Sequence, residues 1–261
     1  MANGPLVPFD AQKPSVARLH DYALGGKDNF AVDREASAEL RKIFPLPGVL
    51  ARENREFLAR AVSYVARYGV AQFIDVGSGL PASPGVHEVA GLVSPDARVA
   101  YVDNDPMVIS HAAALLASPG RVAAVPGDAH RPGDILTSPE LMEVIDTSEP
   151  FCVILATILD FFEPAHAAEI VAAFRHAMPT GSFLILSIGI NNDPGLAQDW
   201  IKAYRAARVH LHSREQIAAY FAGLELVEPG LTAVRHWQPL QPQAADNPRP
   251  ADLVAGVGRK A

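Results

Sequence analysis

Residues 71–79 read AQFIDVGSG. A short apolar run with an acid at Asp75, closed by Gly77-Ser78-Gly79, is the pattern of a buried strand entering a glycine turn. The pattern recurs outward from this point. ARVAYVDND (97–105) reads as a second strand that ends in acids, and RVAAVPGD (121–128) as a third. FCVILATIL (151–159) is continuously apolar, as a strand covered on both faces must be, and SFLILSIGI (182–190) is a fifth. Helical periodicity fills the gaps at 84–93, 106–117 and 164–177. Strands alternating with helices predict a parallel sheet with helices on both faces. Two further helices are expected at 195–207 and 213–222. Two last strands, LELVEP (224–229) and ADLVAGVGR (251–259), flank the proline-rich stretch RHWQPLQPQAADNPRP (235–250).

Upstream of this frame, residues 1–14 read as a loose arm. Ser15 is placed to cap a helix carrying Val16, Leu19, Tyr22 and Ala23 on one face, and Gly25-Gly26 ends it. Asp33 to Phe44 reads as a second helix, closed by PLPG (45–48). Val49 to Tyr68 reads as a third, with Leu50, Asn54, Phe57, Leu58, Ala61 and Val65 along one stripe. No internal repeat and no linker divides the chain. The expectation is an α/β three-layer sandwich in a single domain over 1–261. Residues 1–68 form an N-terminal helical cap or lid, and 69–261 the α/β core.

Composition narrows the function. The chain has 261 residues, 49% hydrophobic and 20% charged, an ordinary balance for a folded domain with a large core. Its net charge of -7 gives no electrostatic reason to expect nucleic-acid binding, although it does not exclude a local basic patch. Cys152 is the single cysteine, which excludes an intramolecular disulfide; inside an apolar run it reads as a buried, inert thiol. The opening MANGPLVPFDAQKP lacks the basic and apolar regions of a signal peptide, and no apolar stretch reaches the ~20 residues of a membrane span. A cytoplasmic protein without membrane or nucleic-acid partners is expected.

In an open parallel sheet, ligands bind beyond the carboxyl ends of the strands. Here those ends carry Asp75, Gly77, Ser78 and Gly79, then Asp103 and Asn104 with Asp105, then Asp128 and Ala129, and then Ala156 and Asp160. Each has a plain structural use: a tight turn, a helix cap, a turn acid. Together they suit an adenosine ligand. Glycines admit the ligand to the backbone, an acid after the second strand accepts from both ribose hydroxyls, and one after the third receives the adenine amino group. Both nicotinamide dinucleotides and S-adenosylmethionine (SAM) meet this outline. A pyrophosphate needs the amides of a helix N-terminus, and the prolines in LPASPG (80–85) interrupt a smooth entry into the helix. That, with the acid after the third strand, favours SAM.

These residues carry a resemblance. FIDVGSGLP (73–81), VHEVA (86–90), ARVAYVDNDPMV (97–108) and GDAH (127–130) resemble the class I SAM-dependent methyltransferase motifs in order. More narrowly, PSVARLHDYALGGKDNFAVDREA (14–36) with ARENREFLARAV (51–62) is similar to an actinobacterial methyltransferase-like family formerly described as a domain of unknown function. The resemblance spans about residues 14–258. It implies a Rossmann-like, seven-stranded, mostly parallel sheet with an antiparallel last strand, SAM as cofactor, and methyl transfer. It breaks at ILDFF (158–162), where Asp160 stands in place of a histidine, so a histidine base at that point is not implied.

The remaining expectations concern the cap and the acceptor. HDYALGGKDNF (20–30) is placed to fold over the carboxyl ends of strands one and four. Tyr22 would pack on the ligand, Lys27 or Asn29 would meet the methionine carboxylate, and Asp75 or Asp21 the ammonium, with Asn54 and Arg55 bracing the same end. Candidates for acceptor-side contacts are Asp160 first, then His20, Asp21 and Asn191; a base is needed only if the acceptor is a protonated hydroxyl or a similar group. Trp200, Tyr204 and Trp237 are candidate walls for a small-molecule acceptor. No metal motif is complete: His210 and His212 lack a third ligand. A SAM-binding protein without methylating chemistry and a nicotinamide oxidoreductase stand as alternatives.

Overall fold

The computed structural model describes residues 8–43, 45–241 and 249–261. Three helices come first: α1 (Val16–Leu24), α2 (Ala31–Ile43) and α3 (Pro47–Arg67). The sheet follows: β1 (Gln72–Val76), β2 (Arg98–Asp103), β3 (Val122–Pro126), β4 (Cys152–Ala156) and β5 (Phe183–Asn191), with β6 (Glu225–Leu226), β7 (Thr232–Ala233) and β8 (Ala251–Arg259) at the end. Between them lie α4 (Val86–Val93), α5 (Pro106–Leu115), α6 (Pro132–Leu136), α7 (Pro139–Met142), α8 (Pro164–Ala177), α9 (Pro194–Ala203) and α10 (Arg214–Ala219).

The strand order is β3-β2-β1-β4-β5-β8-β6, so seven strands form the expected path. β7 is an eighth, two-residue strand on β8. β1 to β5 run parallel, and β8 is antiparallel to β5. The order reverses between β1 and β4, and a crevice opens there at the carboxyl ends. Period-two alternation explains the apolar strands. Ile74, Val76, Val153, Leu155, Leu184 and Leu186 feed the core under α6, α8 and α10. Phe73, Cys152, Ile154, Phe183 and Ile185 feed the opposite core under α3 and α4. Burial pushes the Cys152 thiol up, consistent with an inert group.

Three sequence expectations shift. α3 belongs largely to a covering layer: Phe57, Ala61, Val62 and Val65 are buried against the sheet, and only its first turns reach the cavity described below. Trp237 is fully buried and packs edge-on against Phe57 and Tyr64, so it is a core residue and not an acceptor wall. α9 stops at Ala203, because Tyr204 turns to extended backbone and lays its ring beside Phe161. The side chain of Asn191, and residues 242–248 of the proline-rich stretch, lie outside the described residues. Among the described residues no helix is long and apolar enough to cross a membrane.

The arm before α1 is anchored by charge. Arg18 and Asp33 form an ion pair at 2.7 Å with 2% and 0% exposure. Arg18 also donates to the carbonyls of Asp10 and Lys13, and its guanidinium lies over the rings of Phe9 and Phe30. Ser15 makes no side-chain cap to α1; its hydroxyl donates to Asp105 Oδ2 at 2.9 Å, which ties the cap to the end of β2.

Candidate active site

One cavity of about 830 Å³ lies over the carboxyl ends of the strands. That is near the upper end of the roughly 300–1,000 Å³ of ligand pockets. It is lined by Asp75, Gly77, Ser78, Gly79, Asp103, Asn104, Asp128, Ala129, Ala156 and Asp160 of the expected set, and by His20. Thr157, Phe161, Gly189 and arm residues 8–10 also line it, none of which stood out in the sequence.

The glycine turn is shaped by contact. Gly77 has φ +70°, and a Cβ there would stand 2.6 Å from Ile158 Cδ1, so a side chain is refused on both counts. The Gly77 and Ser78 amides donate to the Val102 carbonyl, which hangs the turn on β2. The Gly79 amide donates to Asp103 Oδ2 at 3.0 Å, and the Asp105 amide to Asp103 Oδ1 at 2.9 Å. Asp103 is thus oriented by backbone at the end of β2, where a ribose would lie. The Asp105 side chain accepts from the Met107 amide as the N-cap of α5, and its other oxygen receives Ser15. Beyond β3, Asp128 accepts from the backbone N–H of His130 and meets its Nδ1 at 2.8 Å. Burial works to raise the Asp128 carboxyl, but these contacts with His130 outweigh it and hold it below the ordinary range.

The other carboxyls move the opposite way. Asp75 is 5% exposed and has no hydrogen bond or ion pair among the described residues. Burial raises it to about 7; Arg55 opposes this and Asp103 adds to it. Burial likewise raises Asp103 to about 6, against the backbone donors around it. Asp160 follows β4 in a short turn, accepts from the Gly189 amide at 2.9 Å, and is raised by burial to about 6. Thr157 beside it has φ 55°, a strained backbone for a β-branched residue at the cavity wall. His20 is lowered to about 4, by burial and by Arg55, and is therefore neutral at pH 7.

Stability responds to these shifts with a definite sign. Between about pH 4 and 7 the folded chain holds a proton on Asp75 that the unfolded chain has released, so this contribution falls as pH rises. Thermal unfolding without ligand, followed across that window, is expected to decline less steeply for Asp75→Asn than for the natural chain. Equal slopes would contradict the buried, unpaired state of Asp75.

Tyr22, Lys27 and Asn29 do not line the cavity. Tyr22 lies under the guanidinium of Arg41. Asn29 donates to Asp21 and to the Gly26 carbonyl, and Lys27 is exposed. The cause is the turn itself: Gly25 takes a left-handed φ of 87° to end α1, and the Asp21 carboxylate packs against Gly26. That closes 25–29 upon itself, and the arm with α1 and the first turns of α3 covers the site instead. Arg55 braces the glycine turn through the carbonyls of Ala82 and Pro84. His212 spends both ring nitrogens on Tyr220 and the Phe162 carbonyl. Among the described residues no group of three or more His, Cys, Asp or Glu is gathered to hold a metal.

The donor set fits SAM better than a dinucleotide. α4 begins only at Val86, and the Gly85 amide at its start is already taken by the Glu88 carboxylate. An acid stands where a pyrophosphate would need free amides. Among the described residues, Asp75 is a buried acid with no hydrogen bond or ion pair, and the buried Ser78 Oγ and Asn54 Oδ1 on the same cavity have no hydrogen-bond partner. Such groups are costly unless a ligand satisfies them.

This sheet order, with an acid–glycine turn and further acids after β2 and β3, defines a class I SAM-dependent methyltransferase. The sequence model of the S-adenosyl methyltransferase family matches residues 5–261. The chain belongs to that family, and SAM is its cofactor. A DUF574 family protein from Streptomyces avermitilis is 37% identical, with 97% of this chain and 99% of that one covered at a TM-score of 0.90. A candidate methyltransferase from Thermobifida fusca is 38% identical over 96% of both chains, at 0.91. Magnesium protoporphyrin IX methyltransferase from Synechocystis, solved with bound S-adenosylhomocysteine (SAH), shares the fold at 12% identity and a TM-score of 0.54. No curated protein matches the chain.

Proposed function

We propose that the protein methylates a small molecule in the cytoplasm of an actinobacterium, with the acceptor bound on the β4–β5 side of the cavity. One observation carries this reading. The same cavity joins the acid-and-glycine rim of β1 to β3 to an apolar half lined by Phe161, Ile190, Leu196, Trp200, Tyr204 and Leu211. Such a site orients two ligands toward one another. The chain acts there as one catalytic unit, with the arm, α1 and α3 as cover. The net charge of -7 argues against nucleic acid as the acceptor.

When bound, SAM supplies an activated methyl group, so the protein's work is placement. Asp103 would accept from the ribose hydroxyls, Asp128 with Ala129 would border the adenine, and Asp75 would face the ammonium. Gly77, Ser78 and Ala156 form the floor beneath. Asp160 is the proposed proton acceptor for the incoming nucleophile, since it lies at the junction of the two halves with a carboxyl tuned near neutrality. His20 is a neutral wall group in the same space.

Parallel calorimetric titration with SAM, SAH and NAD tests the cofactor half. Micromolar binding of the first two and none of the third is expected. NAD binding alone would overturn the reading.

A further inference from the structure

The apolar half of the cavity has a chemistry that narrows the acceptor. Phe161 and Tyr204 stand 6.0 Å apart between ring centres, and Tyr204 and Trp200 again 6.0 Å. The three rings make a continuous shelf, and all of them line the cavity. Asp160 lies on the same turn as Phe161; burial raises the Tyr204 hydroxyl, and the nearby Asp160 charge adds to it.

The other ionisable groups along this wall are neutral, committed or exposed. The hydrogen bond to the Asp160 carboxylate from a neighbouring residue comes from Gly189, and no cation pairs with it among the described residues. His20 is held neutral. Arg55 serves the Ala82 and Pro84 carbonyls on the cofactor side, and Asp252 is engaged by Arg235. Lys13 and Arg208 line the mouth and are exposed. A carboxylate sharing a pocket with aromatic rings, without its own cation among the described residues, is the arrangement that recognises an ammonium group. A carboxylate-bearing acceptor would be repelled there, and a neutral alcohol would leave the Asp160 charge uncompensated.

We propose that this half selects a cationic amine carried on an aromatic or apolar body, and that the reaction is therefore N-methylation. This rests on the methyltransferase reading above. The bound ammonium gives one proton to the Asp160 carboxylate, which frees the nitrogen lone pair. That pair forms the N–C bond as the C–S bond of SAM breaks, and the bonding electrons leave on the thioether sulfur of SAH. The proton on Asp160 then passes to solvent. The net charge of -7 also favours approach of a cation.

The test uses three indoles that differ only in their tail: tryptamine, tryptophol and indole-3-propionate. Each is titrated calorimetrically into the full-length protein saturated with SAH, at a pH above the Asp160 transition. Tryptamine is expected to bind at least tenfold more tightly than tryptophol, with indole-3-propionate weakest. Asp160→Asn should erase the tryptamine advantage and leave SAH affinity unchanged. Equal or tighter binding of tryptophol or indole-3-propionate overturns the proposal, as does absence of binding by all three, or a tryptamine preference that survives Asp160→Asn. Failure of SAH itself to bind sinks the methyltransferase reading instead, so the two failures are distinguishable.

Discussion

Asp103→Asn binds SAH about 100-fold more weakly than the natural chain; this is the expected result of a direct titration. The carboxylate at the end of β2 is held by the Gly79 and Asp105 amides, one on each oxygen. In the proposed placement of SAM, the remaining lone pairs of this cavity-lining carboxylate accept from the two ribose hydroxyls. A hydrogen bond to a charged group contributes about 1.5–3 kcal/mol, so the loss of two amounts to about 3 kcal/mol or more, roughly 100-fold in affinity. Asparagine adds a second loss, because its amide nitrogen must oppose one of two backbone donors. Thermal unfolding of the variant separates loss of ligand from loss of fold. An SAH affinity within threefold of the natural value, with the fold intact, would remove Asp103 from the cofactor site.

Arg18→Ala is expected to cost about 3–5 kcal/mol of stability, the usual penalty for stripping one partner from a buried pair. That is a large share of the roughly 5–15 kcal/mol that holds a domain folded. Asp33 would be left fully buried without its cation, and the carbonyls of Asp10 and Lys13 would lose their donor. The arm that walls the cavity hangs on the same guanidinium, so SAH affinity should fall together with the urea midpoint. The double replacement Arg18→Met with Asp33→Leu should recover most of the stability, since no buried charge then lacks a partner. A midpoint unchanged in Arg18→Ala would show that the pair does not anchor the cap.

Much of the site was legible because it is built from strand ends. In a parallel sheet each strand delivers its last residues to one rim, so Asp75, Asp103, Asp128 and Asp160 could be placed together from order alone. Asp103 was marked by its place at the end of the second strand, and the cofactor choice by prolines that delay α4 and by the acid after the third strand. Tyr22, Lys27 and Asn29 read as ligand contacts because polar side chains flank a glycine pair. In the fold Asn29 donates to Asp21 and Tyr22 lies under Arg41, and none of the three lines the cavity. Arg18 gave a weak signal, since an arginine on an amphipathic helix usually points to water and its buried partner lies fifteen residues on. Trp237 sat in a proline-rich stretch that suggested a pocket wall, yet it packs under α3.

The sequence by itself determined the α/β frame, the strand that carries each acid and the gathering of those acids and glycines on one rim. Those depend on periodicity and on residues at strand termini, which are local properties of the chain. Only the tertiary structure decided which helices cover the site, that Asp75 and Asp160 line the cavity without an ion pair among the described residues, and that three rings line the acceptor half. Those depend on burial and on partners distant in sequence, and desolvation acts on a group only after the fold has chosen its neighbours.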